Sequence, residues 1–306
     1  MKTVILEDET LRDGLQTIPQ TFGLDRKKLI FDRLVDAGVK RIQVGSFVHP
    51  KVVPQMADTD KLVKMVNSTP GVLVTGLILN DRGLDRALAA GLKHLSMSVS
   101  VSDAHSRKNA NRPAKEALAD MAGLVEKAVA RGVTVRAGAQ CAFGCVYQGQ
   151  VPQDDVLEAA KVLTAAGASE VNLADTTGMA NPMQIRELVG KVKQALPDAS
   201  LSLHLHDTRG LGLANMFAGY EAGVRVFDVA TGGLGGCPFV KGAAGNVPME
   251  DAVNMFEQSG VDTGIDLVKI TGVVDMLQGM LDRDLPGRMF QVIKSGVFGQ
   301  TCDGQA

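Results

Sequence analysis

The chain has 306 residues, 45% of them hydrophobic, and its 32 basic and 34 acidic residues give a formal net charge of −2. A chain of this size can bury a large core, either in one barrel or in two domains. With no Trp, two Tyr and no run of like charge, the composition argues against nucleic-acid binding, and no apolar run is long enough to span a membrane.

The N-terminal segment and the cysteines indicate in which cellular compartment the protein is expected. The segment MKTVILEDE becomes acidic too early for a signal peptide. Four cysteines in a chain of this length do not form a disulfide framework. Cys141 and Cys145 lack the second pair that a zinc site would need, so we interpret them as structural. We therefore expect a soluble, cytoplasmic enzyme without a membrane or nucleic-acid partner.

Short β-rich runs alternate with helical patterns along the chain, and several helical patterns end in Ala-Gly, which suits a helix C-cap. The predicted strands begin at Thr3, Arg41, Val72, His94, Val133, Glu170, Ser200 and Val226. The predicted helices between them span Lys27–Ala37, Thr59–Asn67, Asp81–Ala90, Ala114–Ala130, Asp154–Ala166, Pro182–Leu196 and Leu211–Ala222.

This alternation predicts an α/β fold, a (β/α)8 TIM barrel that forms one domain over residues 1–306. Residues from about 263 to 306 are expected to form a C-terminal helical extension. An open doubly wound sheet would need a glycine-rich fingerprint after the first strand, where this chain has EDETLRDGLQ. In a barrel, the functional groups lie at the carboxyl ends of the strands, and closure makes the eighth strand a neighbour of the first.

Polar residues at three such strand ends suggest a metal site. His204 and His206 are two apart on the seventh strand, so they point to the same face. Asp13 follows the first strand, and Asn246 ends the glycine-rich loop after the eighth. Two nitrogen and two oxygen donors with open positions suit Mg²⁺ or Mn²⁺ better than Zn²⁺. Alternatively, the histidines form a buried hydrogen-bonded pair, and the two oxygen donors cap loops.

Three further residues lie at the same predicted end of the barrel. Arg12 could hold a carboxylate or an oxyanion, or could instead pair with the acids EDE that precede it. Asp175 could take part in proton transfer, or could cap the following helix. Cys237 lies in the stretch GLGGCPFVKGAAGN, where a thiol could exchange a proton as the loop closes, although most free cysteines are small buried apolar residues.

Several motifs resemble the 3-hydroxy-3-methylglutaryl-CoA lyase family of the DRE-TIM metallolyase superfamily, over about residues 4 to 285. TLRDGLQT is similar to the family's RDGLQ signature, and SFVHPKVVPQMAD is similar to its SFVSPKWVPQM segment. SRKNANR, LADTTG, HLHDTRGLGLAN and GLGGCPFVKGAAGNVPMED follow in the family's order, and the last resembles its cysteine-loop signature.

The resemblance implies a ligand set, a catalytic thiol and a coenzyme A site, and it implies a homodimer. The implied metal ligands are Asp13, His204, His206 and Asn246. The implied catalytic and substrate-binding residues are Cys237, Arg12, Asp175, His204 and Glu250, and coenzyme A is expected to enter near Arg107, Lys108, Asn109 and Asn111.

The implied reaction is a retro-Claisen cleavage of 3-hydroxy-3-methylglutaryl-CoA to acetyl-CoA and acetoacetate, as in leucine degradation and ketone-body formation. A divalent cation acidifies the substrate hydroxyl. His204 or Asp175 removes its proton, Arg12 stabilises the thioester enolate, and Cys237 protonates that enolate.

One position departs from the family pattern, because Gln43 occupies the second-strand site where the family has glutamate. A neutral amide cannot act as a base or balance the charge of Arg12. Either a neighbouring acid such as Glu7 or Glu9 compensates, or the substrate differs, for example as a citramalyl-CoA.

Three other classes of protein share parts of this pattern. Claisen-condensing synthases of the isopropylmalate or citramalate type carry a charged segment where this chain has GGCPF, and they commonly have long C-terminal domains. Biotin-dependent carboxyltransferases need a metal-bound modified lysine at a strand end, and the predicted strand ends show none. A barrel that binds an acyl-CoA without turnover is favoured only by Gln43.

Overall fold

The computed structural model describes residues 2–236 and 244–296. Eight parallel strands close into a barrel in sequence order, with β1 paired to both β2 and β8. The strands are β1 Ile5–Asp8, β2 Arg41–Ser46, β3 Leu73–Ile78, β4 His94–Ser100, β5 Thr134–Gln140, β6 Glu170–Asp175, β7 Ser200–Leu205 and β8 Val226–Val229. The predicted TIM barrel is therefore confirmed.

The helices cover the outside of the barrel and bury apolar side chains against it. They are α1 Leu24–Asp36, α2 Thr59–Val66, α3 Asp81–Ala90, α4 Asp103–Ala110, α5 Ala114–Ala130, α6 Gln153–Ala165, α7 Pro182–Ala195, α8 Gly212–Glu221, α9 Met249–Gln258, α10 Leu267–Leu281 and α11 Arg288–Lys294. None of these described helices is long and apolar enough to cross a membrane.

The main difference from the predicted elements is α4, which sequence patterning did not predict. Only two of its eight residues, Ala104 and Ala110, are apolar, so no apolar stripe indicates a helix. Its start is fixed instead by the side chain of Ser102, which accepts a hydrogen bond from the backbone N–H of His105. Asn111 ends the helix in the left-handed region, at a φ of 53°.

The interior of the barrel holds buried charges in place of the branched apolar side chains that usually fill it. Arg41 forms a bidentate ion pair with Glu170, with nitrogen–oxygen distances of 2.8 and 2.9 Å. Arg136 reaches Glu7 at 2.9 Å and Asp228 at 2.6 Å. These residues come from β1, β2, β5, β6 and β8, so the network links strands all around the barrel.

Candidate metal centre and active site

Side chains from the end of β7, from the residue just after it and from two loops meet at the carboxyl end of the barrel. His204 Nε2 lies 3.1 Å from His206 Nε2, and His206 Nε2 lies 3.8 Å from Asp13 Oδ2. Asn246 donates from Nδ2 to Asp13 Oδ2 at 2.8 Å. The structure therefore brings together all four residues for which the sequence predicts metal binding.

Local structure explains why residues so far apart in sequence converge here. His206 directly follows β7 and forms a β-bridge with Asn246. Asp13 lies in a single π-helical turn, Thr10–Gly14, that follows β1. Thr10 Oγ1 donates to Asp8 and accepts from the backbone N–H of Thr231, at 2.8 Å each, which ties this turn to the chain after β8.

The surroundings of the cluster shift the pKa of each of its three titratable ligands. Burial alone would raise the pKa of Asp13, but Arg12 and the two histidines outweigh it and lower that pKa to about 2. Burial and the neighbouring His204 lower the pKa of His206 to about 4. Burial would also lower the pKa of His204, but its contact with Asp228 outweighs burial and raises it.

These residues fit a divalent cation. The ligand atoms of Asp13, His204 and His206 all lie within 4.8 Å of one another. Asn246 Oδ1 is buried without a hydrogen-bond partner among the described residues, while its Nδ2 donates to Asp13 and to Leu234 O. An orphaned carbonyl oxygen beside a carboxylate and two imidazoles is a donor set that Mg²⁺ or Mn²⁺ can use.

A chain of contacts beneath the cluster orients His204. Asp228 Oδ2 lies 3.2 Å from His204 Nδ1, and its Oδ1 accepts from Arg136 at 2.6 Å. This carboxylate favours the proton on Nδ1, which leaves the lone pair of Nε2 for a cation. Asp228 and Arg136 were not among the predicted site residues, although a charged residue at an inward position of a barrel strand is the signal that identifies them.

Arg12 lies beside Asp13 and is held by several acceptors. Its Nη1 donates to Asp13 Oδ1 at 2.5 Å. Its Nε donates to Glu9 Oε2 at 2.8 Å and to Gln43 Oε1 at 2.6 Å. The ion pair that sequence analysis gave as the alternative for Arg12 is thus present, and the neighbouring acid beside Gln43 is Glu9.

Two further predicted site residues are buried acids. Asp175 accepts from the backbone N–H groups of Met179 and Ala180, so it caps the loop before α7, while Asn181 caps that helix itself. Burial raises the pKa of Asp175 to about 6. Glu250 accepts from Gly232 N at 2.9 Å, and burial raises the pKa of Glu250 to about 8.

The residues predicted to receive coenzyme A lie on or just after α4. Arg107 pairs with Asp103 at the surface, and Lys108 Nζ lies 4.0 Å from the centre of the Tyr147 ring. Asn109 lines a cleft of about 620 Å³ between the ends of β3 and β4 and the helices α4 and α5. Asn111 ends α4, as described above.

Cys237, predicted as the catalytic thiol, lies outside the described residues. The chain just before it is part of the cluster. A Cβ atom on Gly235 would lie 2.5 Å from Asn246 Nδ2 and 3.0 Å from Asp13 Oδ2, so the backbone here approaches both side chains as only glycine can. Its φ of 106° also favours glycine.

Comparisons with known proteins agree over nearly the whole chain. A family model described as HMGL-like matches residues 3–277. An (R)-citramalyl-CoA lyase of Chloroflexus aurantiacus is 39% identical over 94% of this chain and 93% of its own. A hydroxymethylglutaryl-CoA lyase of Bacillus subtilis is 36% identical over 96% of this chain and 98% of its own.

The fold agrees with this sequence similarity. A solved structure of the Bacillus subtilis HMG-CoA lyase superposes with a TM-score of 0.92 at 35% identity, and the match covers 96% of this chain and 99% of that one. The chain therefore belongs to the HMGL-like family of carbon–carbon lyases.

Proposed function

We propose that the protein cleaves a 3-hydroxyacyl-CoA in a metal-dependent retro-Claisen reaction, with 3-hydroxy-3-methylglutaryl-CoA as substrate and acetyl-CoA and acetoacetate as products. The observation that carries the proposal is the convergence of Asp13, His204, His206 and the orphaned Asn246 oxygen at the carboxyl end of the barrel. These four residues would hold the cation, which we propose to be Mg²⁺ or Mn²⁺. A bound cation supplies Lewis-acid chemistry by lowering the pKa of a substrate hydroxyl.

The contacts of His204 and Asp175 indicate which of the two removes the proton from the substrate hydroxyl. His204 Nδ1 faces Asp228 and its Nε2 faces the cluster, so neither ring nitrogen is free once a cation is held. Asp175 ends β6 in register with Leu205, the residue between the two histidines, and burial raises its pKa to about 6, which suits a general base near neutral pH. The proposal therefore assigns proton removal to Asp175 and cation binding to His204.

Two other side chains complete the proposed reaction. The Arg12 guanidinium, 13% exposed, stabilises the thioester enolate that forms when the carbon–carbon bond breaks. Cys237 then protonates the enolate to acetyl-CoA. The position of Cys237 supports this role, because Cys237 follows Gly235 by two residues and Gly235 lies against Asp13 and Asn246.

The cleft beside α4 supports an acyl-CoA as the substrate. Ser98 and Gln140 line it near the carboxyl ends of β4 and β5, and Asn109 and Arg112 line it farther out, so it offers an extended chain a binding surface at the same end of the barrel as the cluster. We place the pantetheine there. We also propose a homodimer, from the family resemblance, and a cytoplasmic location, from the few cysteines in a chain of this length.

A product analysis tests the substrate. Purified protein with Mg²⁺ or Mn²⁺ and a thiol reductant is given 3-hydroxy-3-methylglutaryl-CoA or citramalyl-CoA, and the keto acid released is identified by NMR. We expect acetoacetate from the first at the higher kcat/KM. Pyruvate from the second at the higher kcat/KM would assign citramalyl-CoA, the substrate named for the Chloroflexus relative. No cleavage of either by folded, metal-loaded protein would refute the proposal.

A further inference from the structure

Glu9 and Gln43 both contact Arg12, and neither has a role in the proposed reaction. Both side chains are fully buried, on the first turn after β1 and in the middle of β2. Arg12 donates to both, so the two residues together fix where its guanidinium lies beside Asp13.

Glu9 is the acid that holds Arg12 from the barrel side. A single oxygen, Oε2, accepts from Arg12 Nε at 2.8 Å and lies 2.7 Å from Nη2. The other oxygen accepts from Arg136 Nη2 at 3.2 Å. Glu9 Oε2 contacts two guanidinium nitrogens and can carry a full charge, whereas Gln43 offers one uncharged oxygen, so Glu9 restrains Arg12 more strongly than Gln43 does.

Gln43 has one half of its amide engaged and one half free. Because Arg12 Nε can only donate, the amide must turn its oxygen toward Arg12, at 2.6 Å. The amide nitrogen Nε2 is then left with two N–H groups, and it is buried without a hydrogen-bond partner among the described residues. A buried donor without a partner is destabilising, so it indicates a partner that is present only when substrate is bound.

We propose that Glu9 positions Arg12, and that the free N–H of Gln43 donates to a substrate oxygen that lies beside Arg12, a carbonyl or carboxylate oxygen. A glutamate at position 43 could only accept, so it would pair with a hydroxyl group. The amide reverses that preference, which makes Gln43 a specificity-determining residue and Glu9 a positioning residue. The inference rests on the proposed function, since it needs substrate bound at this site.

A set of three variants, Glu9→Gln, Gln43→Glu and the two combined, separates the two roles by kcat and KM. Glu9→Gln is expected to lower kcat by about tenfold to a hundredfold, because Arg12 loses the carboxylate that holds its Nε and Nη2. Gln43→Glu is expected to raise KM by about tenfold, because an acceptor then faces the substrate oxygen. The double variant places an acid on Arg12 again, so it is expected to recover about tenfold of the lost kcat while KM stays raised.

Glu7→Gln is the matched control. Glu7 is equally buried and lies two residues earlier on the same side of the barrel, but it contacts Arg41, Arg136 and Thr75, not Arg12. Any loss of kcat in Glu7→Gln should not be recovered by adding Gln43→Glu. Metal content and Tm are measured for every variant, so that a structural defect is recognised.

Each outcome decides one statement. A double variant no better than Glu9→Gln would overturn the positioning role of Glu9, and an unchanged KM in Gln43→Glu would overturn the donor role of Gln43. These results count only against the inference, because the wild type is active in the same assay. A metal-loaded wild type without turnover would overturn the proposed function and the inference together.

Discussion

Individual side chains in the cluster are prepared for a cation by their neighbours. Asp13 is kept ionised and His206 is kept neutral near neutral pH, because the pKa of Asp13 is about 2 and that of His206 is about 4. The period of two along β7 is sufficient to predict that the two histidines share a face. The roles of Arg136 and Asp228 could not be predicted in this way, because Asp228 meets His204 and Arg136 only after strands distant in sequence have closed into the barrel.

Replacing His206 tests the metal site directly. His206→Ala should lower the bound metal, measured by elemental analysis after dialysis, because one nitrogen donor is lost. His94→Ala is the control, since His94 begins β4 and does not belong to the cluster. Full occupancy in His206→Ala would contradict its assignment as a ligand.

Replacing Asp175 tests the assignment of the general base. Asp175→Asn should reduce kcat by about a hundredfold to ten-thousandfold, because the amide cannot accept the hydroxyl proton. Metal content should stay at the wild-type level, since Asp175 bonds to Met179 and Ala180 and not to the ligands. If kcat fell less than threefold, proton removal would have to be reassigned to His204.

The elements determine which residues can reach the site. The alternation of strand and helix predicted the barrel, and barrel closure predicted that the loops after β1 and β8 would meet at β7. The helix α4 escaped prediction because it has no apolar stripe and is defined mainly by its capping residues. The hydrogen bond between Thr10 and Thr231 could not be predicted either, because it joins residues 221 positions apart.

The close approach of the loop after β8 to the cluster gives a prediction at this scale. Gly235→Ala should weaken Mn²⁺ binding by about tenfold or more in a calorimetric titration, because the new Cβ would displace Asn246 and Asp13. In Gly236→Ala the new Cβ meets, among the described residues, only Thr17 Oγ1, at 3.9 Å, so the affinity should stay at the wild-type value. Equal Mn²⁺ affinities in the two variants would show that the close approach of Gly235 to Asp13 and Asn246 is not needed for metal binding.

The protein contains several buried acids whose pKa is raised. Burial is the main cause in two of them, and it raises the pKa of Asp8 to about 6 and that of Glu250 to about 8. The folded state binds more protons than the unfolded chain between the ordinary pKa of such a group and its raised pKa. The free energy of unfolding contributed by these acids is therefore largest at low pH and is lost as pH rises through that window.

Glu250 makes this testable. Its window runs from the ordinary pKa of 4.5 to about 8, so the Tm of metal-free protein should fall across that range, and Glu250→Gln should reduce the fall. Glu257→Gln, an exposed change on the same helix α9, should leave the fall as in the wild type. A profile for Glu250→Gln identical to that of the wild type would mean that Glu250 is not protonated in the folded state.

The central claim is that the cluster of Asp13, His204, His206 and Asn246 drives carbon–carbon cleavage through a divalent cation. The most direct measurement is acetyl-CoA release from 3-hydroxy-3-methylglutaryl-CoA by protein stripped with EDTA, as Mg²⁺ or Mn²⁺ is added back. We predict no turnover from the stripped protein and a saturable return of activity on addition of metal. Full turnover by folded, metal-free protein would contradict the account.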